Sequence, residues 1–320
     1  MITRRLGVLG GLSLLASTGR AGARQRITML IGAPEGSGTD QIARDFAACM
    51  QGHIDTIEIV VRNFPGEAGY LMLAALADAA PDGATIGWVA TPTLPARMID
   101  RNDPSLIQRI RLLGLVEREP VAFVSPAGDP VNSMQDLVNR AGDDADAVPL
   151  GTPPAGSPPH LAALRLQVLA QTRLNIVTFP SPAAALQAVL AANVSAAALG
   201  LSNVIDGLHD GKLSAIGIAA GHRFGLLPDI PVLNEAGIPL AAFIGRGIAV
   251  PANTPTDLVD PLVAAMQAVT DDEAFRTRAE TKGYHVVWND GATWLTQLQA
   301  EQEQLSKLWQ TDPWLSSSAG

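Results

Sequence analysis

The sequence predicts an α/β protein built as two lobes, on three observations. Strand–loop–helix units succeed one another from Ile27 onward, the same unit recurs after Val148, and a late apolar run, Arg246 to Val250, returns as a strand toward the first half. At 320 residues the chain has room for two domains of about 100–200 residues each.

The organising stretch is Ile27-Thr-Met-Leu-Ile31 followed by Gly-Ala-Pro-Glu-Gly-Ser-Gly-Thr-Asp40. The apolar run is short and β-branched enough for a buried strand, and Gly36 and Gly38 permit a tight turn. Gln41 to Met50 then places Ile42, Phe46 and Cys49 on one helical face. The free amides and positive dipole end at the start of such a helix suit an anion. The loop lacks the Lys-Ser/Thr of a phosphate loop and a full G-x-G-x-x-G, so it speaks for an anion cradle or an ordinary βα turn rather than a nucleotide site.

Thr56 to Val61 reads as the second strand and Arg62 to Gly69 as a second Gly/Pro loop, leading into a helix from Tyr70 to Ala77. Ala84 to Ala90 is the third strand, running into Thr91-Pro-Thr93. Three such units form a parallel sheet whose loops meet at the carboxyl ends of its strands. Arg111 to Val124 is strand-like, and Ser133-Met-Gln-Asp136 reads as a helix N-cap. In the second half Val148 to Gly151 enters the loop Thr152 to His160, and Leu161 to Ala170 is helical. Asn175 to Phe179 is a strand, Pro182 to Ala192 a helix, and Val194 to Leu199 and Gly211 to Ala219 are strands. Pro255 to Val269 and Trp294 to Trp309 are the late helices, the tryptophans serving packing.

Composition narrows the function. Hydrophobic residues at 47% and charged residues at 17% are globular values. A net charge of −9 with no Lys/Arg block argues against nucleic acid. Met1 to Arg5 is basic, Leu6 to Ala16 apolar, and Ala21-Gly-Ala23 fits a cleavage site, so residues 1–23 read as a secretory signal peptide, of Sec or twin-arginine type. Cleavage after Ala23 removes three arginines and leaves 19 − 31 = −12. With Cys49 alone there is no internal disulfide, and its place on the apolar face reads as core. An exported chain without disulfides fits a bacterial periplasm. His53, His209, His222 and His285 show no metal spacing. No metal or cofactor is expected.

Several local signals then stand in the order of a known family. Pro34, Gly36, Gly38 and Asp40 resemble its Pro-x-x-Pro-Gly-Gly-x-x-Asp loop, Asn63 to Gly69 its Asn-x-x-Gly-Ala-Gly-Gly, and Ala80-Pro-Asp-Gly-Ala-Thr85 its Ala-x-Pro-Asp-Gly-Tyr-Thr. Thr152 to Leu161 resembles Ser-x-Gly-x-Gly-Ser-x-x-His-Leu. Gly211 to Ala219, followed by Arg223, Leu227 to Pro231 and Glu235-Ala-Gly237, is the most specific match, and Ala249 to Pro255 is similar to the family's Ala-Pro-Ala-Gly-Thr-Pro return. The chain resembles the periplasmic solute receptors of tripartite tricarboxylate transporters, the Bug-type proteins, from about Arg26 to Trp309.

The resemblance implies a type II-like periplasmic-binding-protein clamshell, with residues 24–124 and 246–320 as lobe 1 and 125–245 as lobe 2. It implies a monomer that holds a small carboxylate through loop amides in the cleft and passes it to a membrane permease. The implied contacts are Gly36, Ser37, Gly38, Thr39 and Asp40 from the first loop, Thr91 and Thr93 from the third, and Thr152, Ala155, Gly156, Ser157 and His160 from the second lobe, with Phe179 and Arg246 beside them. Asp40 would repel a nearby carboxylate, so it is expected to hold its loop through N–H bonds. His160 is either a cleft donor or a brace for its loop, the brace being preferred. Arg246 either meets a ligand carboxylate or caps a surface strand.

Three departures bear on the ligand more than on the fold. Val177-Thr-Phe-Pro-Ser181 replaces Val-Pro-Tyr-x-Gly, Asn193-Val-Ser195 lacks an acid, and Gly245 stands where the family has Trp. Two rival classes stay open: a receptor that reports to a membrane sensor, and an exported hydrolase. Against the hydrolase, there is no Gly-x-Ser-x-Gly elbow and no Cys/His or zinc signature.

Overall fold

The apolar run after Arg24 forms β1 (Gln25–Ile31), and the glycine turn opens α1 (Gly38–Gln51), whose buried stripe is Ile42, Ala43, Phe46, Ala47 and Met50. Cys49 lies at the edge of that stripe, half-buried. These elements belong to a computed structural model that describes residues 24–315; the signal-peptide reading of residues 1–23 lies outside the described residues. The first half continues through β2 (Ile57–Asn63), α2 (Tyr70–Ala77), β3 (Thr85–Thr91), α3 (Thr93–Asp100), α4 (Leu106–Arg109) and the 17-residue β4 (Ile110–Pro126).

The second half holds α5 (Met134–Asp143), β5 (Leu150–Thr152), α6 (Pro158–Ala170), β6 (Ile176–Thr178), α7 (Pro182–Leu190), β7 (Ala196–Gly200), α8 (Leu201–His209) and β8 (Leu213–Ala219). The chain returns through β9 (Phe243–Pro251) to α9 (Thr256–Asp271), α10 (Glu273–Thr281), β10 (His285–Asp290) and α11 (Gly291–Thr311). Ser133 caps α5, its Oγ accepting from Asp136 N–H at 3.1 Å.

The strands run in the order β2-β1-β3-β9-β4-β7-β5-β6, with β10 and β8 also paired to β4. β1 is parallel to β2 and β3, and β5 is parallel to β6 and β7, so each half carries the parallel βα layer read from the sequence. The antiparallel strands β4 and β9 join the halves: β4 pairs with β9 from Ile110 to Pro120 and with β7 and β8 beyond it. The chain is a two-lobe α/β clamshell with helices on both faces of each half-sheet.

Separate cores fill the two lobes. In the first, Phe46 packs against Trp88 at 5.3 Å and against Phe275 edge-on at 5.8 Å. Such pairs add about 0.5–1.5 kcal/mol beyond their burial. In the second, Val121, Phe123, Ala198 and Ile216 fill one side of the sheet and Val124, Leu199 and Ile218 the other. A small fifth cluster crosses between lobes, joining Ala96 of α3 and Leu305 and Leu308 of α11 to Leu161 and Leu164 of α6, with Trp314.

Five elements escape the sequence reading: α3, α4, α8, α10 and β10. α3 contains Pro95 in its first turn, where the missing N–H costs nothing. α8 contains Ser202, Asn203 and Gly207, weak helix formers, and stands on buried Leu201, Val204 and Ile205. Both are helices by tertiary packing. No helix among the described residues is long and apolar enough to cross a membrane.

Candidate functional site: the loops between the lobes

The first-lobe loops meet at the carboxyl ends of β1, β2 and β3. A Cβ added at Gly32 would stand 3.2 Å from Gly69 Cα, and one at Gly69 would stand 3.6 Å from Thr93 Cγ2. Gly66, Glu67, Ala68 and Gly69 all have positive φ, so this second loop carries two non-glycine residues in left-handed backbone. Strain of that kind concentrates at ligand clamps.

In the first loop, Ser37 caps α1 by accepting from Asp40 N–H at 3.3 Å. Asp40 is buried, and its carboxylate accepts from Gly36 N–H (2.8 Å), Arg44 Nε (2.9 Å) and Asn63 Nδ2 (2.8 Å). Burial alone would raise its pKa; the hydrogen bonds from Arg44, Asn63 and Gly36 outweigh that and hold it below the ordinary value. Asn63 Nδ2 also donates to Ala33 O at 2.9 Å, so one network spans both ends of the loop. The N–H of Ser37 is spent on Pro34 O. Among the described residues the N–H groups of Gly38 and Thr39 find no partner, and a Cβ at Gly38 would stand 3.4 Å from Asn203 Oδ1 of the second lobe. Two free amides at a helix N-terminus can hold a carboxylate.

The second-lobe loop is shaped differently. Thr152 Oγ1 donates to Pro153 O, and Ser157 N–H to Pro154 O, both at 3.0 Å. Gly156 N–H donates to His160 Nδ1 at 3.3 Å, which is the bracing geometry. Burial and the neighbouring Arg97 push the imidazole down to about 4, so the ring is neutral and its Nδ1 accepts. Ala155 O accepts from Arg97 Nη2 at 3.3 Å. Among the described residues Ser157 Oγ is buried without a hydrogen-bond partner.

Arg97 is the residue the sequence did not nominate. It is 1% exposed, lies on α3, and pairs with Asp100 at 2.5 Å, while Trp314 Nε1 donates to the same carboxylate oxygen at 2.7 Å. Burial pushes the guanidinium down and the Asp100 carboxyl up, each partly offset by the other. The signal was Arg97 inside the apolar run Leu94–Ile99 and Asp100 just after it, three residues apart, a pair one helical face would bring together.

The remaining nominated residues are dispersed. Thr91 Oγ1 accepts from Trp294 Nε1 at 3.3 Å, and its peptide bond to Pro92 is cis. Thr91 lines a cavity of about 180 Å³ at the strand crossing, with Arg118, Arg165, Gly245 and Glu301, while His160 borders another of about 310 Å³. Neither cavity is lined by Gly38 or Thr39. Phe179 packs against the second-lobe core.

Arg246 corrects the expectation made for it. It is buried rather than at the surface, and its Nη1 and Nη2 donate to Glu117 and Glu119, each at 2.6 Å, so its charge is paired within the protein. Burial pushes Glu117 up to about 7 against the pull of Arg246. Glu119 in turn accepts from Ser202 N–H (2.8 Å) and Oγ (2.6 Å), capping α8. No hydrogen bond among the described residues joins 36–39 to 152–157; the first loop faces α8, and the second faces α3 and Trp314.

Residues 42–310 match the profile of a family described as tripartite tricarboxylate transporter family receptor. A UPF0065 protein of Bordetella bronchiseptica is 26% identical over 306 residues, 95% of this chain and 90% of that protein. The periplasmic binding protein BugD superposes with a TM-score of 0.80 at 24% identity, covering 89% of this chain and 97% of that one. MatC of Rhodopseudomonas palustris, solved with bound malate, superposes with a TM-score of 0.78 at 25% identity, covering 88% and 98%.

Proposed function

Because the chain belongs to the tripartite tricarboxylate transporter receptor family, we propose that it is a periplasmic solute receptor that captures a small carboxylate between its lobes and delivers it to a membrane permease. The observation that carries this is the pair of amides, Gly38 and Thr39, unpartnered among the described residues at the start of α1, where Gly38 lies against Ser202 and Asn203 of the second lobe. The amides hold one carboxylate oxygen, and Asp40 does not repel it because Arg44 neutralises that charge. Ser157 Oγ donates from the other side. Malate bound to MatC supports a small dicarboxylic acid as the class to try first. Residues 24–124 with 246–320 form one lobe and 125–245 the other in this reading. Residues 1–23 direct export. The family is one of receptors, and the function is binding without catalysis.

Ligand closes the lobes only by its differential affinity for the closed state. Thermal-shift screening of the purified protein against mono- and dicarboxylates, aromatic acids and amino acids tests the reading. A ligand at 100 times its dissociation constant adds about 2.7 kcal/mol of stability. No shift with any acid, or an unchanged scattering profile at saturation, overturns it; conversion of the bound acid would make the protein an enzyme.

A further inference from the structure

The fold brings together three side chains that the sequence kept apart. Cys49 lies in the last turn of α1, His53 follows one turn later, and Asp272 stands between α9 and α10; their Sγ, imidazole nitrogen and carboxylate oxygen lie within 4.8 Å of one another. The backbone beneath them is fixed. Gly52 N–H donates to Cys49 O and His53 N–H to Met50 O, both at 3.0 Å, which holds the Cys-to-His turn. On the other side Asp272 caps α10, its Oδ1 accepting from Phe275 N–H at 2.8 Å. Phe275 packs on Phe46 of α1, so both carriers are anchored in one core.

We propose that Cys49, His53 and Asp272 form a binding site for a borderline-soft divalent cation of the zinc class, a clasp between α1 and the α9–α10 junction. A thiolate, an imidazole and a carboxylate are a zinc ligand set, with water completing a tetrahedron. Magnesium and calcium demand oxygen ligands and are excluded by the thiol and the ring. The site lies at the C-terminal, negative end of α1, where a cation is favoured. On binding, the thiol proton passes to solvent as the sulfur–metal bond forms. The Lys282–Asp45 ion pair already ties the same two helices elsewhere along their seam. The clasp is independent of the carboxylate cleft.

The test uses the full chain stripped with a chelator. Zinc is expected to bind one-to-one and raise Tm by several degrees, reversibly with chelator, while magnesium at the same concentration leaves Tm unchanged. Cobalt should give the thiolate charge-transfer absorption and intense visible bands of a tetrahedral site. Cys49→Ser should abolish that absorption, and His53→Gln, an exposed position, should weaken zinc at least tenfold without changing the metal-free Tm. Asp272→Asn keeps the helix cap and should weaken zinc likewise. Absence of a zinc-dependent shift, or equal zinc affinity in Cys49→Ser and His53→Gln and the unsubstituted chain, overturns the site.

Discussion

The β1–α1 and β5–α6 loops occupy equivalent places in the two lobes and are built by opposite means. The first is held by charge: Asp40 gathers Gly36, Arg44 and Asn63, and the network leaves Gly38 and Thr39 amides free. The second is held by stiffness and by the other lobe: Pro153, Pro154, Pro158 and Pro159 remove donors, and Gly156 rests on Arg97 and Trp314. The first loop is a cradle that tolerates change around it; the second is a wedge whose shape depends on its neighbours. In the proposed receptor, affinity for an anion would therefore be concentrated on the first, and coupling between lobes on the second.

The largest break in this comparison comes from alanine at equivalent glycines. Gly156 (φ +73) has no room, since an added Cβ would collide with Arg97 Nη2 and stand 2.8 Å from Trp314 Nε1. Gly156→Ala is expected to cost about 3 kcal/mol or more, read as a lower urea midpoint, from left-handed strain plus overpacking. Gly36 has nearly the same φ (+77) but nothing within 4 Å, so Gly36→Ala should cost about 1 kcal/mol. Equal losses would show that neighbours do not distinguish the loops.

Acid separates them next. His160 is about 4 in the folded chain against 6.5 when unfolded, so the unfolded state binds the extra proton first. Its contribution is complete above the unfolded value and is lost as pH falls from 6.5 toward about 4, with a slope of about 1.4 kcal/mol per pH unit. His160→Gln should remove that slope from urea midpoints measured across this window; an unaltered slope would mean that another group titrates. Asp40, whose pKa is lowered, contributes stability above the unfolded carboxylate value and loses it at lower pH than His160 does.

Asp40→Asn strikes the charge network directly. An amide cannot accept from Arg44, Asn63 and Gly36 together, and the expected loss is about 2 kcal/mol with weaker acid binding, measured by calorimetry on the same variant. The smallest effect on stability belongs to Ser157→Ala. Its hydroxyl has no partner to lose, so Tm should stay within a degree or two while carboxylate affinity falls; unchanged affinity removes the second loop from the site.

Much of this was legible along the chain. The βα units, the parallel pairing and the returning strand follow from apolar runs punctuated by Gly and Pro, and their order carries the family. The site was legible only where a residue acts on its own turn, as Ser37 does at α1 or His160 on Gly156. Arg246 shows the limit: beside an altered family position it looked like an available cation, yet β4 presents Glu117 and Glu119 to it. Nothing local to Arg246 could reveal that register.

The sequence alone determined the α/β class, the two lobes and the glycine turn that opens α1, because periodicity, glycine turns and helix ends act over a few residues. Tertiary structure decided which charges are free. Arg97, Arg246 and Asp40 differ in availability only through partners that the fold delivers: an aspartate one turn away with Trp314 from the chain's end, two glutamates across a ladder, and an arginine and asparagine beside a loop. Charge is fixed by residue type, but its availability is fixed by burial and pairing, and these exist only once distant segments pack.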